Sequence, residues 1–178
     1  YWNTFLKHRS RFAELFFLAD EFAGRFHSPI SGMSKELRPY LTLQSEQTVS
    51  FDVAQMQPTL LANILFQNVD ENAFSSAIFE GVDVYTMLQE KAGLSTRNEA
   101  KKKFFQMLFS RPSNEMDQLF EGANFIQWIN WYKSTPDNRN PHTEVKTYSN
   151  LAFLLQTYEV NIMSKIWQKL AQNNIQFL

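Results

Sequence analysis

The chain of 178 residues contains no cysteine. That excludes disulfides, thiolate nucleophiles and cysteine-ligated zinc. Its five glycines are scattered, so neither a phosphate-cradling glycine loop nor a dinucleotide fingerprint can be assembled. The three histidines, His8, His27 and His142, share no ligand spacing, which argues against a histidine metal triad. No nucleophile-elbow motif supports Ser-His-Asp chemistry. No apolar run reaches membrane-spanning length, and no signal peptide is visible. A net charge of −1 gives no global basic field, so any contact with nucleic acid must come from local patches. The chain opens on Tyr1 and closes on Ile175-Gln176-Phe177-Leu178, which reads as a piece of a longer protein.

What is present in quantity is aromatic bulk: 17 Phe, 6 Tyr and 4 Trp, enough for one domain with a real core. Helical periodicity runs through residues 1–23, with Phe5, Phe12, Leu15, Phe16, Ala19 and Phe22 on one face and Lys7, His8, Arg9 and Arg11 on a solvated one. Gly24 closes that helix, and an extended piece follows to Pro29. A short helical turn is expected over Met33–Arg38. Residues 47–53 (QTVSFDV) read as a buried strand ending at Asp52, followed by a helix from Gln55 to Gln67 with Pro58 in its first turn. At a strand-to-helix junction Asp52 has two readings, a helix cap or a carboxylate for metal or catalysis. Residues 68–80 read as a polar connector, Asp83–Lys91 as a short helix, and 114–133 as an aromatic-rich helix. Residues 134–147 read as a loop, Tyr148–Asn173 as a long helix with Leu151, Leu154, Leu155, Tyr158, Ile162, Ile166 and Leu170 as its core stripe, and 174–178 as the start of a strand.

One stretch organises the rest. Thr96-x-x-Glu99 is a capping box that opens a helix running to Pro112. Along it Arg97, Lys101, Phe105 and Phe109 recur at steps of four, each step drifting by only about 40° around the axis. Two cations and two rings therefore share one stripe. Such a stripe is either a core face whose cations snorkel to water or a site for something both anionic and flat.

Three separated segments, in order, resemble the polymerase domain of family-A DNA polymerases. Asp52-Val53-Ala54-Gln55-Met56-Gln57-Pro58 is similar to motif A (D-x-S-Q-[IM]-E-x-R). Arg97-x-x-x-Lys101-x-x-x-Phe105-x-x-x-Phe109-Ser110 is similar to motif B (R-x3-K-x3-[FY]-x3-Y-G). Gly24-Arg25-Phe26-His27-Ser28 with Leu37-Arg38 resembles the G-R-hydrophobic-S-S segment and the arginine-rich stretch before motif A. Asp83-Val84-Tyr85 stands where the family has a D-[IV]-H element. Leu155-Gln156 stands on the helix that touches primer–template. The resemblance covers residues 24–178.

It implies an α+β, mainly helical fold: a partial palm with short antiparallel strands near 47–53 and 174–178, plus helical fingers. Residues 1–67 would be palm with motif A, 68–146 fingers with motif B, and 147–178 the palm helix and strand leading towards motif C. Asp52 would hold Mg²⁺ as one of two metal-binding aspartates. Arg97 and Lys101 would neutralise the triphosphate of a dNTP, with Phe105, Phe109, Gln57 and Tyr85 around the nucleotide. Arg25, Arg38 and Gln156 would meet primer–template DNA. The parent protein would transfer nucleotides to a primer 3′-end, in a bacterial or phage-like, cytoplasmic, nucleoid-associated setting. The sequence departs from the family at Gln57 (usually Glu), Phe109 (usually Tyr), Ser110 (usually Gly), Tyr85 (usually His), Tyr148 (usually Arg) and Ala152 (usually Asn). Its His-Asp motif C does not occur within the 178 residues, so this piece alone is expected to be inactive, with no Mg²⁺ pair bound. The departures keep two alternatives in view: a catalytically inactive nucleic-acid-binding module, and a relative of single-subunit RNA polymerases, against which Phe109 argues.

Overall fold

The computed structural model describes residues 18–28, 30–43, 45–69, 72–113 and 124–175. The fold class is α+β and mainly helical. In chain order it has β1 (Leu18–Ala19), β2 (Phe26–His27), β3 (Thr42–Leu43), β4 (Glu46–Gln47), α1 (Met56–Asn68), α2 (Ala73–Phe79), α3 (Val84–Lys91), α4 (Arg97–Phe109), α5 (Asn124–Ser134) and α6 (Asn150–Gln172). Short 3-10 turns at Arg38–Tyr40 and Thr147–Ser149 precede β3 and α6. Among the described residues no helix is long and apolar enough to cross a membrane.

The strands form two separate antiparallel hairpins. In the first, Leu18 faces His27 and Ala19 faces Phe26. This corrects the helix expected to run to residue 23; its first part, residues 1–17, lies outside the described residues. Asp20 causes the reversal. Its Oδ1 accepts from the amides of Ala23 (2.7 Å) and Gly24 (3.1 Å), and Gly24 takes φ +74°, a region open to glycine at little cost. Local side-chain capture of the backbone thus defeats the helical pattern.

The second hairpin joins Thr42 to Gln47 and Leu43 to Glu46. It corrects the strand expected over 47–53: only Gln47 lies in the hairpin's strand, and the Thr48 amide still donates to Leu41 O at 3.3 Å. Residues 49–53 run on without strand pairing, with Val49 76 % and Phe51 94 % exposed. Alternating β-branched and aromatic residues favour an extended backbone, but propensity supplies no partner strand. The strand expected at 174–178 is corrected at its first two residues. Asn174 takes φ +54°, its amide donates to Ala171 O, and that of Ile175 donates to Leu170 O. These two bonds form a helix-terminating Schellman motif. Residues 176–178 lie outside the described residues.

The helices account for the core. Leu61 and Leu65 of α1, Phe74 of α2, Leu88 of α3, Phe104 and Leu108 of α4, Phe125 and Ile129 of α5, and Leu151 and Leu155 of α6 are buried together. The Phe74 ring stacks between Phe104 (5.9 Å) and Phe125 (5.4 Å). Each such ring contributes about 1.5–3 kcal/mol relative to exposure. Helix α2 falls in the expected connector 68–80. Asn72 caps it by accepting from the Ser75 amide, and Ser75 Oγ donates to Ala62 O on α1. It is held by that packing more than by any apolar period of its own. Of the expected aromatic helix 114–133, residues 114–123 lie outside the described residues. Helix α6 follows its predicted stripe only in its first half. Further along, Tyr158 and Ile166 are 47 % and 38 % exposed, while Trp167 meets Phe26 of the first hairpin at 5.7 Å.

Candidate functional site

The predicted capping box of α4 is present in full. Thr96 Oγ1 accepts from the Glu99 amide (3.2 Å), and Glu99 Oε2 accepts from the amides of Thr96 (3.3 Å) and Ser95 (2.9 Å). It puts Arg97 at the first helical position and so sets the phase of the helix. The buried row is Ala100, Phe104, Met107 and Leu108. The stripe 97/101/105/109 lies beside that row. Arg97 and Lys101 are exposed, and Phe105 and Phe109 are half-buried against the core. The stripe therefore lies at the edge of the core: its rings pack against the core and its cations reach water.

A second helix completes the arrangement. Asp83 caps α3, its Oδ1 accepting from the amides of Tyr85 (2.9 Å) and Thr86 (3.2 Å). Its Oδ2 accepts from Arg97 Nε at 2.8 Å and from a terminal guanidinium nitrogen at 2.6 Å. The same guanidinium lies over the Tyr85 ring, 4.9 Å from its centroid. Lys101 Nζ is 5.9 Å from the centroids of both Tyr85 and Phe105, within cation–π reach. Phe105 tilts against Tyr85 (6.4 Å) and Phe109 (5.5 Å). Tyr85, Arg97, Lys101, Phe105 and Phe109, all singled out by sequence, thus form one contiguous cluster. Burial pushes the Tyr85 hydroxyl up to about 12, against the pull of the Arg97 charge. Burial works to raise the Asp83 carboxyl too, but the hydrogen bonds from Arg97 and from the Thr86 and Tyr85 amides together hold it below its ordinary value.

An open pocket of about 430 Å³ adjoins the cluster, lined by Asn98, Lys101, Lys102 and Phe105. From sequence, Lys102 reads as a solvated residue and Asn98 carries no signal. Both places follow from helical phase, since 98, 101, 102 and 105 share a face.

The other sequence candidates fall elsewhere. Asp52 is exposed in the extended segment and does not cap α1. The N-cap is Gln55, at φ +52° and without a side-chain cap bond. The Gln55 side chain instead bridges two elements. Its Oε1 accepts from Val84 N at 2.8 Å and its Nε2 donates to Val82 O at 3.3 Å. It fastens the start of α1 to the turn that presents Asp83. The glutamine of the motif-A-like segment was the one sequence signal that could have pointed to this contact. Gln57 Nε2 donates to Glu159 Oε2 at 2.5 Å, and the other oxygen of Glu159 is 3.7 Å from an Arg25 terminal nitrogen. Glu159, missed in the sequence, therefore joins Arg25 and Gln57 across the first hairpin, α1 and α6. Gln156 lies three residues earlier on α6, half-buried. Arg38 stands apart, its Nε donating to Met33 O at 3.1 Å. Among the described residues no three His, Asp or Glu side chains gather as a ligand set for a metal ion. Asp52 is a single carboxylate, and a Mg²⁺ pair needs more oxygen ligands than it supplies.

The chain matches no family model, no curated protein and no solved structure. The functional reading stands on its residues and their geometry.

Proposed function

We propose that the α3–α4 face binds a nucleoside triphosphate, and that the chain is the palm–fingers part of a template-dependent DNA polymerase of family-A type. The observation that carries this reading is the convergence of Arg97 and Lys101 with the half-buried rings of Phe105 and Phe109 on one partly open face, above the buried ring of Tyr85. The cations suit phosphate oxygens and the rings suit a sugar and a base. Charge stabilisation and positioning of this kind are the main protein contributions to phosphoryl and nucleotidyl transfer. The ordered similarity to motifs A and B supports the same assignment, with Asp52 as a metal-holding carboxylate of the parent enzyme and Arg25, Arg38 and Gln156 as its contacts to primer–template DNA.

The test is titration calorimetry of the folded chain with a dNTP and with inorganic tripolyphosphate. Binding that weakens with salt and falls at least about fivefold in both Arg97→Ala and Lys101→Ala is the expected result; a figure of this order corresponds to losing one charge-assisted contact. A chain that binds neither probe refutes the nucleotide site. Primer extension by a protein continuing past Leu178 then separates a polymerase from a binding module, and comparison of ribo- with deoxynucleotides separates DNA from RNA synthesis.

A further inference from the structure

The Arg97 guanidinium already has an anion. Asp83 Oδ2 accepts from its Nε at 2.8 Å and from a terminal nitrogen at 2.6 Å. Asp83 does not follow Arg97, because its other oxygen is anchored by the amides of Tyr85 and Thr86 at the first turn of α3. The Tyr85 ring beneath the guanidinium, 4.9 Å away, restricts it from the other side. Both partners are nevertheless accessible, with side chains 46 % and 38 % exposed, so the ion pair is of the weak, exchangeable kind. Lys101, one turn along, faces the open pocket.

We propose that Asp83 is a built-in competitor for the phosphate ligand of Arg97. This rests on the nucleotide-binding reading of the α3–α4 face and adds the control of that site. A polyphosphate docks first against Lys101 and then takes Arg97 from Asp83. The carboxylate repels the incoming charge, and its grip on Arg97 must be exchanged for the ligand's oxygens. Ligands with several phosphate charges can drive that exchange, whereas a single weak anion gains too little from it. Asp83 thereby sets a threshold of ligand charge for occupying the face.

The experiment is titration of tripolyphosphate and of inorganic phosphate into the parent chain, Asp83→Asn, Arg97→Ala and the double variant. Asparagine also caps helices well, so Asp83→Asn removes the charge and leaves α3 in place, checked by circular dichroism. The expected result is tripolyphosphate bound about two- to tenfold more tightly by Asp83→Asn, a fold-change on the scale of one surface ion pair plus one removed repulsion. In the Arg97→Ala background the gain shrinks to the part owed to the removed repulsion. If the parent binds tripolyphosphate through Arg97 and Lys101 but Asp83→Asn binds it equally or more weakly, the competitor role is overturned and the nucleotide site stands. An undiminished gain in the Arg97→Ala background also overturns it, since Asp83 would then act only as a nearby charge. Binding by none of the proteins overturns the nucleotide site itself, and the competitor role with it.

Discussion

Lys133 offers a direct test of how the helix carrying the candidate site is held. It lies on α5, is 1 % exposed, and its Nζ donates to the carbonyl of Met107 in the last turn of α4. That carbonyl belongs to the set a helix cannot satisfy internally, and a cation at a helix C-terminus is favoured by the dipole. Burial nevertheless pushes the Lys133 ammonium down to about 8 from 10.5. Between these values the unfolded chain binds more protons than the folded one, so stability rises with pH. The contribution is fully present above the unfolded value and is lost as pH falls through about 8. At about 1.36 kcal/mol per unit, the gain from about pH 7 to pH 10 is on the order of 2–3 kcal/mol. Lys133→Met removes this dependence and leaves the Met107 carbonyl unsatisfied, at a cost of about 1–3 kcal/mol that does not vary with pH. The stability difference between parent and variant should therefore grow by roughly 2–3 kcal/mol in favour of the parent across that range. Urea unfolding followed by tryptophan fluorescence at several pH values measures it. Tyr85, whose hydroxyl is raised to about 12, affects both proteins alike and cancels. A difference that stays flat, or that shrinks as pH rises, refutes the reasoning.

Two further outcomes probe the elements that position the cluster. Thr96→Ala removes half of the capping box and should cost about 1 kcal/mol, with faster amide exchange at Glu99 as the specific sign that the first turn of α4 has loosened. Gln55→Ala deletes both amide bonds to residues 82 and 84 while leaving a non-glycine residue at φ +52°, and should lower stability by about 1–3 kcal/mol in thermal melts. Gln55→Gly should lose less than Gln55→Ala, because glycine also relieves the left-handed strain that the parent and the alanine variant share; equal loss in both variants would show that the left-handed backbone is not strained.

The features legible in the sequence were those with local causes. The Thr96–Glu99 box, Pro58 in the first turn of α1 and the stripe of 97, 101, 105 and 109 each depend on residues within one to three turns of each other. Most of what was not legible depends on partners far along the chain. Residues 49–53 have the composition of a strand yet lack pairing. Helix α2 has little apolar period and exists because Asn72 caps it and α1 receives it. The hairpin at 18–27 is the local exception, replacing the end of the expected helix through a few hydrogen bonds accepted by Asp20.

The same division runs through the candidate site. By itself the sequence determined that two cations and two rings share one helix face, because the helical repeat makes that a matter of spacing. Only the tertiary structure decided that this face borders the core rather than forming it, since the phase of burial depends on how α4 meets its neighbours. It also brought Tyr85 beneath Arg97 and set Asp83 against the guanidinium. Those contacts cross from one helix to another, and no spacing within α4 encodes the carboxylate that an incoming anion would have to displace.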